Sequence, residues 1–234
     1  MKRFPYDKML TLWRREYQNR GMPSSYRQQP SGSVIWFVAY LRELGITGGK
    51  VIDIGSGLGR NSLFLLENGF EVSAIDIVPE NLEALRTMSA KLGIADRLET
   101  RSGDLGQRWE FSDNSFDVAI DTFVYKHQVD EDTQENYHKE LRRVLKRGGM
   151  YLLTLAGKDD GYYGNFLTTS PERDRNLIID PQNELGSILY SEDEVLQQFG
   201  GVFECLYYQF KRNGYSMHND KYRRSTHLFV FQKK

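Results

Sequence analysis

The sequence predicts an α/β fold in which a mainly parallel β-sheet is covered by helices on both faces. Short apolar segments alternate with segments of helical periodicity from residue 50 onward, a pattern typical of strands that are buried on both sides. A glycine-rich turn, with Gly55, Gly57 and Gly59, follows the first apolar segment and precedes a helical one. In an open α/β sheet, such a turn marks a site for a nucleotide-like ligand.

The individual elements are predicted from periodicity and from residues that start or stop helices. Residues 1–47 precede the first strand and are expected to form two helices, over residues 6–20 and from Ser31 or Ser33 to Gly45. Five strands are then expected, at residues 50–54, 71–75, 97–101, 116–120 and 150–155. The helices between them are expected at residues 61–68, 79–93 and 133–146, the last one stopped by Gly148-Gly149.

Residues 157–190 interrupt this alternation. They are polar and aromatic and too long for a simple connection, so we interpret them as an insertion that covers the site as a substrate lid. Residues 1–47 are interpreted as a helical cap over the same site. A helix is expected at residues 191–199, and two final strands at residues 202–210 and 226–232 should pair antiparallel because no long helix joins them. Residues 1–234 are expected to form a single domain.

Composition narrows the classes of partner. The formal net charge of −1 provides no broad basic surface for nucleic acid. Cys205 is the only cysteine, so neither an internal disulfide nor a cysteine-based metal cluster is expected, and no metal site is predicted. No apolar run reaches the roughly 18 residues of a membrane span, and the N-terminus has no signal-peptide pattern. We expect a cytoplasmic protein without a nucleic-acid or membrane partner, and the sequence does not indicate its oligomeric state.

The glycine turn and the acids near it indicate which ligand it holds. The spacing is G-x-G-x-G, whereas a dinucleotide fingerprint would need a glycine at the position of Arg60. Asp53 precedes the turn and would repel a pyrophosphate, but it suits an ammonium group. Asp76 ends the second strand, where a carboxylate can accept hydrogen bonds from both hydroxyls of a ribose. Asp104 follows the third strand, where a carboxylate can accept a hydrogen bond from the exocyclic amine of adenine. These three acids fit S-adenosylmethionine better than NAD, although each alone could cap a helix or a turn.

The same residues carry a resemblance to the class I S-adenosylmethionine-dependent methyltransferases. VIDIGSGLGR at residues 51–60 resembles their first motif, FDVAID at residues 116–121 resembles their fourth-strand motif, and LRRVLKRGG at residues 141–149 resembles the turn before their fifth strand. The resemblance covers roughly residues 45–156 and the two last strands. It implies a Rossmann-like seven-stranded sheet of order 3-2-1-4-5-7-6, with strand 7 antiparallel. It also implies a set of cofactor-binding residues: Asp53, Gly55, Ser56, Gly57, Gly59, Arg60, Asp76, Ile77, Gly103, Asp104, Leu105 and Asp121.

The acceptor side is predicted from the residues that follow the fourth strand. His127 is the first candidate for a catalytic base because the ordinary pKa of histidine lies near neutral pH, and Asp121 is the second. Helix packing is the alternative role for His127, and backbone contact to the cofactor is the alternative for Asp121. The predicted substrate contacts are His127 and seven aromatic residues, each of which could instead serve packing: Trp13, Tyr17, Tyr26, Tyr125, Tyr162, Tyr163 and Phe166.

Together these features predict an enzyme that transfers a methyl group from S-adenosylmethionine to a small molecule, with nitrogen or oxygen acceptors favoured over sulfur. A nucleic-acid methyltransferase is disfavoured because the turn at residues 121–124 lacks proline and the chain is not basic. An NAD-dependent oxidoreductase is disfavoured by Asp53 and Arg60. A protein methyltransferase and a non-catalytic module that binds the cofactor both stay compatible with the sequence.

Overall fold

The computed structural model describes residues 5–234, so the first four residues of the predicted N-terminal cap lie outside the described part. Its helices are α1 (Tyr6–Asn19), α2 (Pro23–Tyr26), α3 (Gly32–Glu43), α4 (Arg60–Glu67), α5 (Pro79–Lys91), α6 (Glu131–Val144), α7 (Tyr163–Leu167) and α8 (Glu192–Phe199). Its strands are β1 (Gly49–Ile54), β2 (Phe70–Asp76), β3 (Leu98–Ser102), β4 (Phe116–Thr122), β5 (Leu145–Ala156), β6 (Leu177–Ile179), β7 (Gly186–Ile188), β8 (Phe203–Met217) and β9 (Asp220–Lys233).

Seven of these strands form one sheet in the order β3-β2-β1-β4-β5-β9-β8. The first five are parallel, and β9 pairs antiparallel with β5, from Met150 opposite Gln232 to Ala156 opposite Thr226. Since β8 and β9 are the sixth and seventh strands of this sheet, the predicted fold class and strand order are confirmed. None of the helices in residues 5–234 is both long and apolar enough to span a membrane.

The sheet is buried on both faces. Ile52 and Ala119 belong to one apolar cluster, whereas their neighbours Val51 and Val118 belong to another on the opposite face. Successive side chains of a strand point to opposite faces, so β1 and β4 contribute alternately to both clusters. This explains why the strands appear in the sequence as continuous apolar segments rather than alternating ones.

The structure differs from the prediction mainly at the ends of elements. Helix α6 ends at Val144 and β5 begins at the next residue, so Gly148 and Gly149 lie inside the strand instead of stopping the helix. The last two strands are much longer than predicted, at 15 and 14 residues. Their polar outer halves pair only with each other, around a two-residue turn at His218 and Asn219 with φ of 48° and 70°. Most residues of those halves are polar, and the few that are buried, Met217, Arg224 and Ser225, do not form an apolar repeat, so apolar periodicity could not reveal them.

The insertion at residues 157–190 contains α7 and a two-stranded antiparallel ribbon of β6 and β7. It is connected to the N-terminal helices through Glu16, whose carboxylate is buried. Its Oε1 accepts hydrogen bonds from the Met22 N–H (2.6 Å) and the Ser25 hydroxyl (3.0 Å), and its Oε2 accepts one from Asn183 Nδ2 (3.1 Å). A single carboxylate therefore links α1, α2 and the insertion.

Helix α8 offers a direct test of local stabilisation. Ser191 accepts a hydrogen bond from the Glu194 N–H, and the Glu194 carboxylate accepts one from the Ser191 N–H, which completes a capping box. We expect Ser191→Ala to lower the free energy of unfolding by about 1 kcal/mol, which corresponds to a fall in Tm of about 2–4 °C for a chain of this size. Thermal unfolding would measure it, with exposed Ser112→Ala as the control. Equal shifts in both variants would contradict a capping role.

Candidate active site

A cavity of about 480 Å³ runs along the edge of the sheet where the parallel strands end. One end is lined by residues that follow β1, β2 and β3, and the other by residues at the ends of β4 and β5 and on β9. Helix α1 and the outer part of the β8–β9 hairpin also contribute to its wall. Its lining at the first end includes Gly55, Asp76, Ile77, Gly103, Asp104 and Leu105, and at the second end Thr122, Phe123, Lys126, His127, Thr154, Tyr163, Arg224 and Thr226.

The glycine turn is held against β2 by its own backbone. The N–H groups of Gly55 and Ser56 both donate to the Ile75 carbonyl, at 2.8 and 3.1 Å. Gly55 and Gly57 have φ of 66° and 57°, and a Cβ atom would lie 2.5 Å from Val124 at the first and 2.4 Å from the Tyr17 hydroxyl at the second. Only glycine fits these two positions, and the backbone can therefore come close to the cavity.

Asp76 lines the cavity at the carboxyl end of β2. Its Oδ2 accepts a hydrogen bond from the Gly57 N–H and its Oδ1 accepts one from the Val78 N–H, both at 2.8 Å. Burial raises the pKa of this carboxyl group despite these bonds. Each oxygen retains a second lone pair, so the carboxylate can hold the turn and still accept hydrogen bonds from a ligand in the cavity.

Asp53 lies behind the cavity wall rather than in it. Its Oδ2 accepts a hydrogen bond from the Ser62 hydroxyl (2.6 Å), whereas its Oδ1 is buried and has no hydrogen-bond partner in residues 5–234. Burial raises the pKa of Asp53 to about 7. The Ser56 hydroxyl is likewise buried without a partner. These polar atoms beside the turn fit a ligand that brings hydrogen-bond donors, as the amino-acid part of S-adenosylmethionine does.

The other predicted cofactor contacts divide into two groups. Ile77, Gly103, Leu105 and Arg60 line the cavity, as does Asp104, whose Oδ1 also accepts a bond from the Gly106 N–H at 2.8 Å. Asp104 therefore forms a local turn while it faces the cavity. Gly59 is not part of the cavity lining and faces helix α5: a Cβ atom there would lie 2.3 Å from Leu85, so this glycine permits close packing of the helix, and its cofactor contact stays a prediction.

Asp121 does not line the cavity, and its side chain is engaged within the fold instead of being presented as a base. The carboxylate is fully buried and accepts hydrogen bonds from the N–H groups of Val124 (2.8 Å) and Tyr125 (2.9 Å) and from the Tyr137 hydroxyl (2.7 Å). Burial raises the pKa of Asp121 to about 7. Its role in the structure is to fold the turn that follows β4.

His127 lines the cavity in a defined orientation. Its Nδ1 lies 2.7 Å from the Gly186 carbonyl of the insertion. A carbonyl only accepts hydrogen bonds, so Nδ1 carries the proton and Nε2 of the neutral ring has a free lone pair. Burial and the neighbouring Lys126 place the pKa of His127 well below its usual value. The ring of Trp13 meets it edge to face, with centroids 5.0 Å apart.

Among the predicted aromatic contacts, only some line the cavity. Trp13, Tyr17 and Tyr163 do, whereas Tyr26 and Phe166 do not. Tyr125 and Tyr162 also lie outside the lining, and hydrogen bonds within the core occupy their hydroxyl groups. Tyr125 is buried and bonds to Gln198 and to His138 Nε2 (2.7 Å), and Tyr162 donates to Asp180 Oδ1 (2.8 Å).

Sequence reasoning missed two buried cations at the second end of the cavity, Lys126 and Arg224. Lys126 Nζ donates to the Ser187 hydroxyl at 3.1 Å and lies 3.8 Å from the centroid of the Tyr163 ring. Arg224 pairs through Nε with both oxygens of Asp160, at 2.8 and 2.7 Å. A charged residue in a polar segment is normally solvent-exposed, so nothing in the local sequence marked either of them as part of a site. No group of three or more potential metal ligands lies together within residues 5–234.

Comparison with known proteins places this site in context. Residues 51–149 match the family model described as "Methyltransferase domain". The chain is 32% identical over 111 residues to a sterol 4-C-methyltransferase from Caenorhabditis elegans, an alignment that covers 47% of this chain and 32% of that one. The chain spans between a third and a half of the length of the curated relatives it matches.

Two solved structures share the fold. One is an S-adenosylmethionine-dependent methyltransferase from Methanosarcina mazei, with a TM-score of 0.68, 22% identity and coverage of 80% of this chain and 93% of that one. The other is the 1,6-didemethyltoxoflavin-N1-methyltransferase of Burkholderia thailandensis, solved with 1,6-didemethyltoxoflavin and S-adenosylhomocysteine. Its TM-score is 0.69 at 16% identity, with coverage of 100% of this chain and 92% of that one.

The raised pKa of Asp53 predicts how stability depends on pH. In the folded protein this pKa is about 7, above the roughly 3.9 of an unfolded chain. The folded state then binds the proton more tightly between these values, so the free energy of unfolding falls as pH rises from about 4 to about 7. We expect Asp53→Asn to gain Tm relative to the wild type at pH 8 and to show no gain at pH 4. Exposed Asp96→Asn is the control. Parallel Tm–pH curves for wild type and Asp53→Asn would contradict the prediction.

Proposed function

We propose that this chain, which belongs to the class I S-adenosylmethionine-dependent methyltransferase superfamily, transfers a methyl group from S-adenosylmethionine to a small-molecule acceptor. The observation that carries the proposal is one continuous cavity, which joins an end lined by Asp76 and Asp104 to an end lined by His127 and aromatic rings. Bound S-adenosylmethionine supplies a methyl group already activated by the positive sulfur. The protein's part is to align acceptor and donor and to exclude water.

The donor end is assigned from its acids and its turn. Asp76 would accept hydrogen bonds from the ribose hydroxyls, and Asp104 would accept one from the adenine amine. The backbone at Gly55 would hold the methionine part, and the unpartnered Oδ1 of Asp53 would attract the ammonium group. The strand ends that carry Gly55, Asp76 and Asp104 are consecutive along the sheet edge, so an extended ligand can contact all three.

At the acceptor end we assign His127 as the general base. The Gly186 carbonyl holds the Nδ1–H, so Nε2 is available to take a proton from the attacking group. The lowered pKa keeps the ring neutral, and so able to accept a proton, at neutral pH. A base of this kind is useful for an N–H or O–H acceptor, whereas a thiolate needs little help. This favours nitrogen or oxygen over sulfur as the methylated atom.

The N-terminal helices and the insertion are proposed as the cap and the lid of this site. Trp13 and Tyr17 of α1 and Tyr163 of the insertion line the cavity. Glu16 connects the two segments through its bonds to Ser25 and Asn183, so they can close together. Exclusion of water by such a cover would strengthen the electrostatic contacts within the cavity.

The walls also favour a small acceptor over a polymer and catalysis over simple binding. Helix α1, the insertion and the β8–β9 hairpin all contribute to the wall of the cavity, and walls on several sides suit a small acceptor better than an extended strand. The structural relative from Burkholderia thailandensis is named as an N1-methyltransferase of a small molecule. A non-catalytic module that binds only the cofactor would not need an acceptor chamber with an oriented histidine.

Calorimetry tests the donor site. We expect purified protein to bind S-adenosylmethionine and S-adenosylhomocysteine but not NAD. Asp76→Ala should weaken S-adenosylhomocysteine binding by roughly 10–100-fold, because it removes charge-assisted hydrogen bonds worth about 1.5–3 kcal/mol. Exposed Asp96→Ala is the matched control. If folded wild-type protein binds neither sulfur ligand, the proposed donor site is wrong.

Kinetics test His127 on an acceptor identified by screening a metabolite library for release of S-adenosylhomocysteine. We expect His127→Gln to lower kcat by roughly 10²–10⁴-fold, with little change in S-adenosylhomocysteine affinity. In the wild type, the fall of kcat/KM on the acid side should lie well below the ordinary histidine pKa of 6.5, because the pKa of His127 is depressed. His138→Gln, which lies outside the cavity lining, is the control. Unchanged turnover in His127→Gln would remove this residue from the mechanism.

A further inference from the structure

Neither the proposed donor contacts nor the proposed base involves the two buried cations at the acceptor end, Lys126 and Arg224. Lys126 and Arg224 line the cavity although only 1% and 7% of their surfaces are exposed. Both contact the ring of Tyr163: Lys126 Nζ lies 3.8 Å from its centroid, and Arg224 Cζ lies 4.9 Å from it. A lysine from the turn after β4 and an arginine from β9 are thus brought together on one aromatic ring.

Several N–H donors of these cations have no acceptor within residues 5–234. Lys126 Nζ donates one hydrogen bond, to Ser187, and no carboxylate lies within 4.0 Å of it. Arg224 uses only Nε, on Asp160, while Nη1 and Nη2 donate no hydrogen bond. Buried donors are normally satisfied, and Nη1 and Nη2 of Arg224 are not fully enclosed. Because Lys126 and Arg224 both line the cavity, a ligand there can reach their unused donors.

The nearby carboxylates are already engaged. Asp160 accepts from Arg224 Nε and from the N–H groups of Tyr162, Tyr163 and Ser225. Asp180 accepts from Tyr162 and Gln182, and its Oδ2 lies 3.5 Å from His218 Nε2. Neither approaches Lys126 as an ion-pair partner. Burial, with Arg224 as a second cause, lowers the pKa of Lys126 to about 7, so an anion bound beside it would favour its charged form.

We propose that the methyl acceptor carries an anionic oxygen group, a carboxylate or a phosphate, that binds between Lys126 Nζ and the Nη atoms of Arg224. The planar guanidinium edge matches two oxygens of such a group, and the lysine adds a third donor. This inference rests on the proposed function, since it names the class of its acceptor: an acidic small molecule whose N–H or O–H group is methylated. Lys126 and Arg224 then determine specificity for an anionic acceptor, and His127 accepts the proton from its N–H or O–H group.

Calorimetry on protein saturated with S-adenosylhomocysteine tests this with matched probes. The pairs are 4-hydroxybenzoate with 4-hydroxybenzamide, indole-3-acetate with indole-3-acetamide, and phenyl phosphate with phenol. We expect at least one acid to bind tenfold or more tightly than its neutral partner, and the pair that shows this separates a carboxylate from a phosphate. If every acid binds no better than its neutral partner, or if no acid binds, the proposal is overturned.

Variants locate the effect. Lys126→Met, which leaves no carboxylate unpaired, and Arg224→Lys, which keeps a charge beside Asp160, should each weaken the acid by about tenfold, since each removes one or two charge-assisted hydrogen bonds. Binding of the neutral partner and of S-adenosylhomocysteine should not change. Exposed Lys221→Met, outside the cavity lining, is the control. If both variants retain the preference for the acid, the proposal fails. If wild-type protein does not bind S-adenosylhomocysteine, the proposed function fails instead, so the two failures are distinguishable.

Discussion

Burial of the sheet on both faces is the constraint on which the rest of the structure depends. Side chains of β1 and β4 enter apolar clusters above and below the sheet, so polar groups can collect only where the strands end. Parallel strands bring their carboxyl ends to one edge, and β9, running the opposite way, brings the first half of its chain to the same edge. This reversal is what places Arg224 beside the ends of β4 and β5. The cavity follows from strand direction as much as from any single residue.

The carboxylates at this edge serve the fold as well as the site. Asp76 holds the backbone of Gly57 and Val78 and still faces the cavity, whereas Asp121 directs all of its contacts to its own turn and to Tyr137. Asp76 is the last residue of β2 and Asp121 the last but one of β4, and burial raises the pKa of both. An acid at a strand end is therefore not by itself a ligand contact. Whether its free lone pairs face the cavity decides between the two roles.

The proposed cover of the site is built from segments far apart in the chain. Glu16 joins α1 to the insertion, and the His218 N–H of the β8–β9 turn donates to the Gly21 carbonyl at 2.8 Å. The insertion also orients the candidate base, since the Gly186 carbonyl fixes the tautomer of His127. The segments that shape the acceptor end are thus linked to each other by buried hydrogen bonds. A substitution that breaks one of these hydrogen bonds would therefore alter the packing of the other segments as well.

The sequence by itself determined the fold class and, through its family resemblance, the strand order, and it indicated the proposed donor end. These depend on local signals: apolar periodicity, the glycine turn at residues 55–59, and acids at strand ends. Only the tertiary structure decided which residues line the proposed acceptor end. Tyr125 and Tyr162 resembled Tyr163 in sequence, yet hydrogen bonds to Gln198 and Asp180 place the first two in the core. Lys126 and Arg224 are 98 positions apart and meet at one ring only because β9 pairs antiparallel with β5. Contacts between distant residues leave no trace in local periodicity, and that is the physical reason the sequence indicated the methyl donor but not the groups that surround its acceptor.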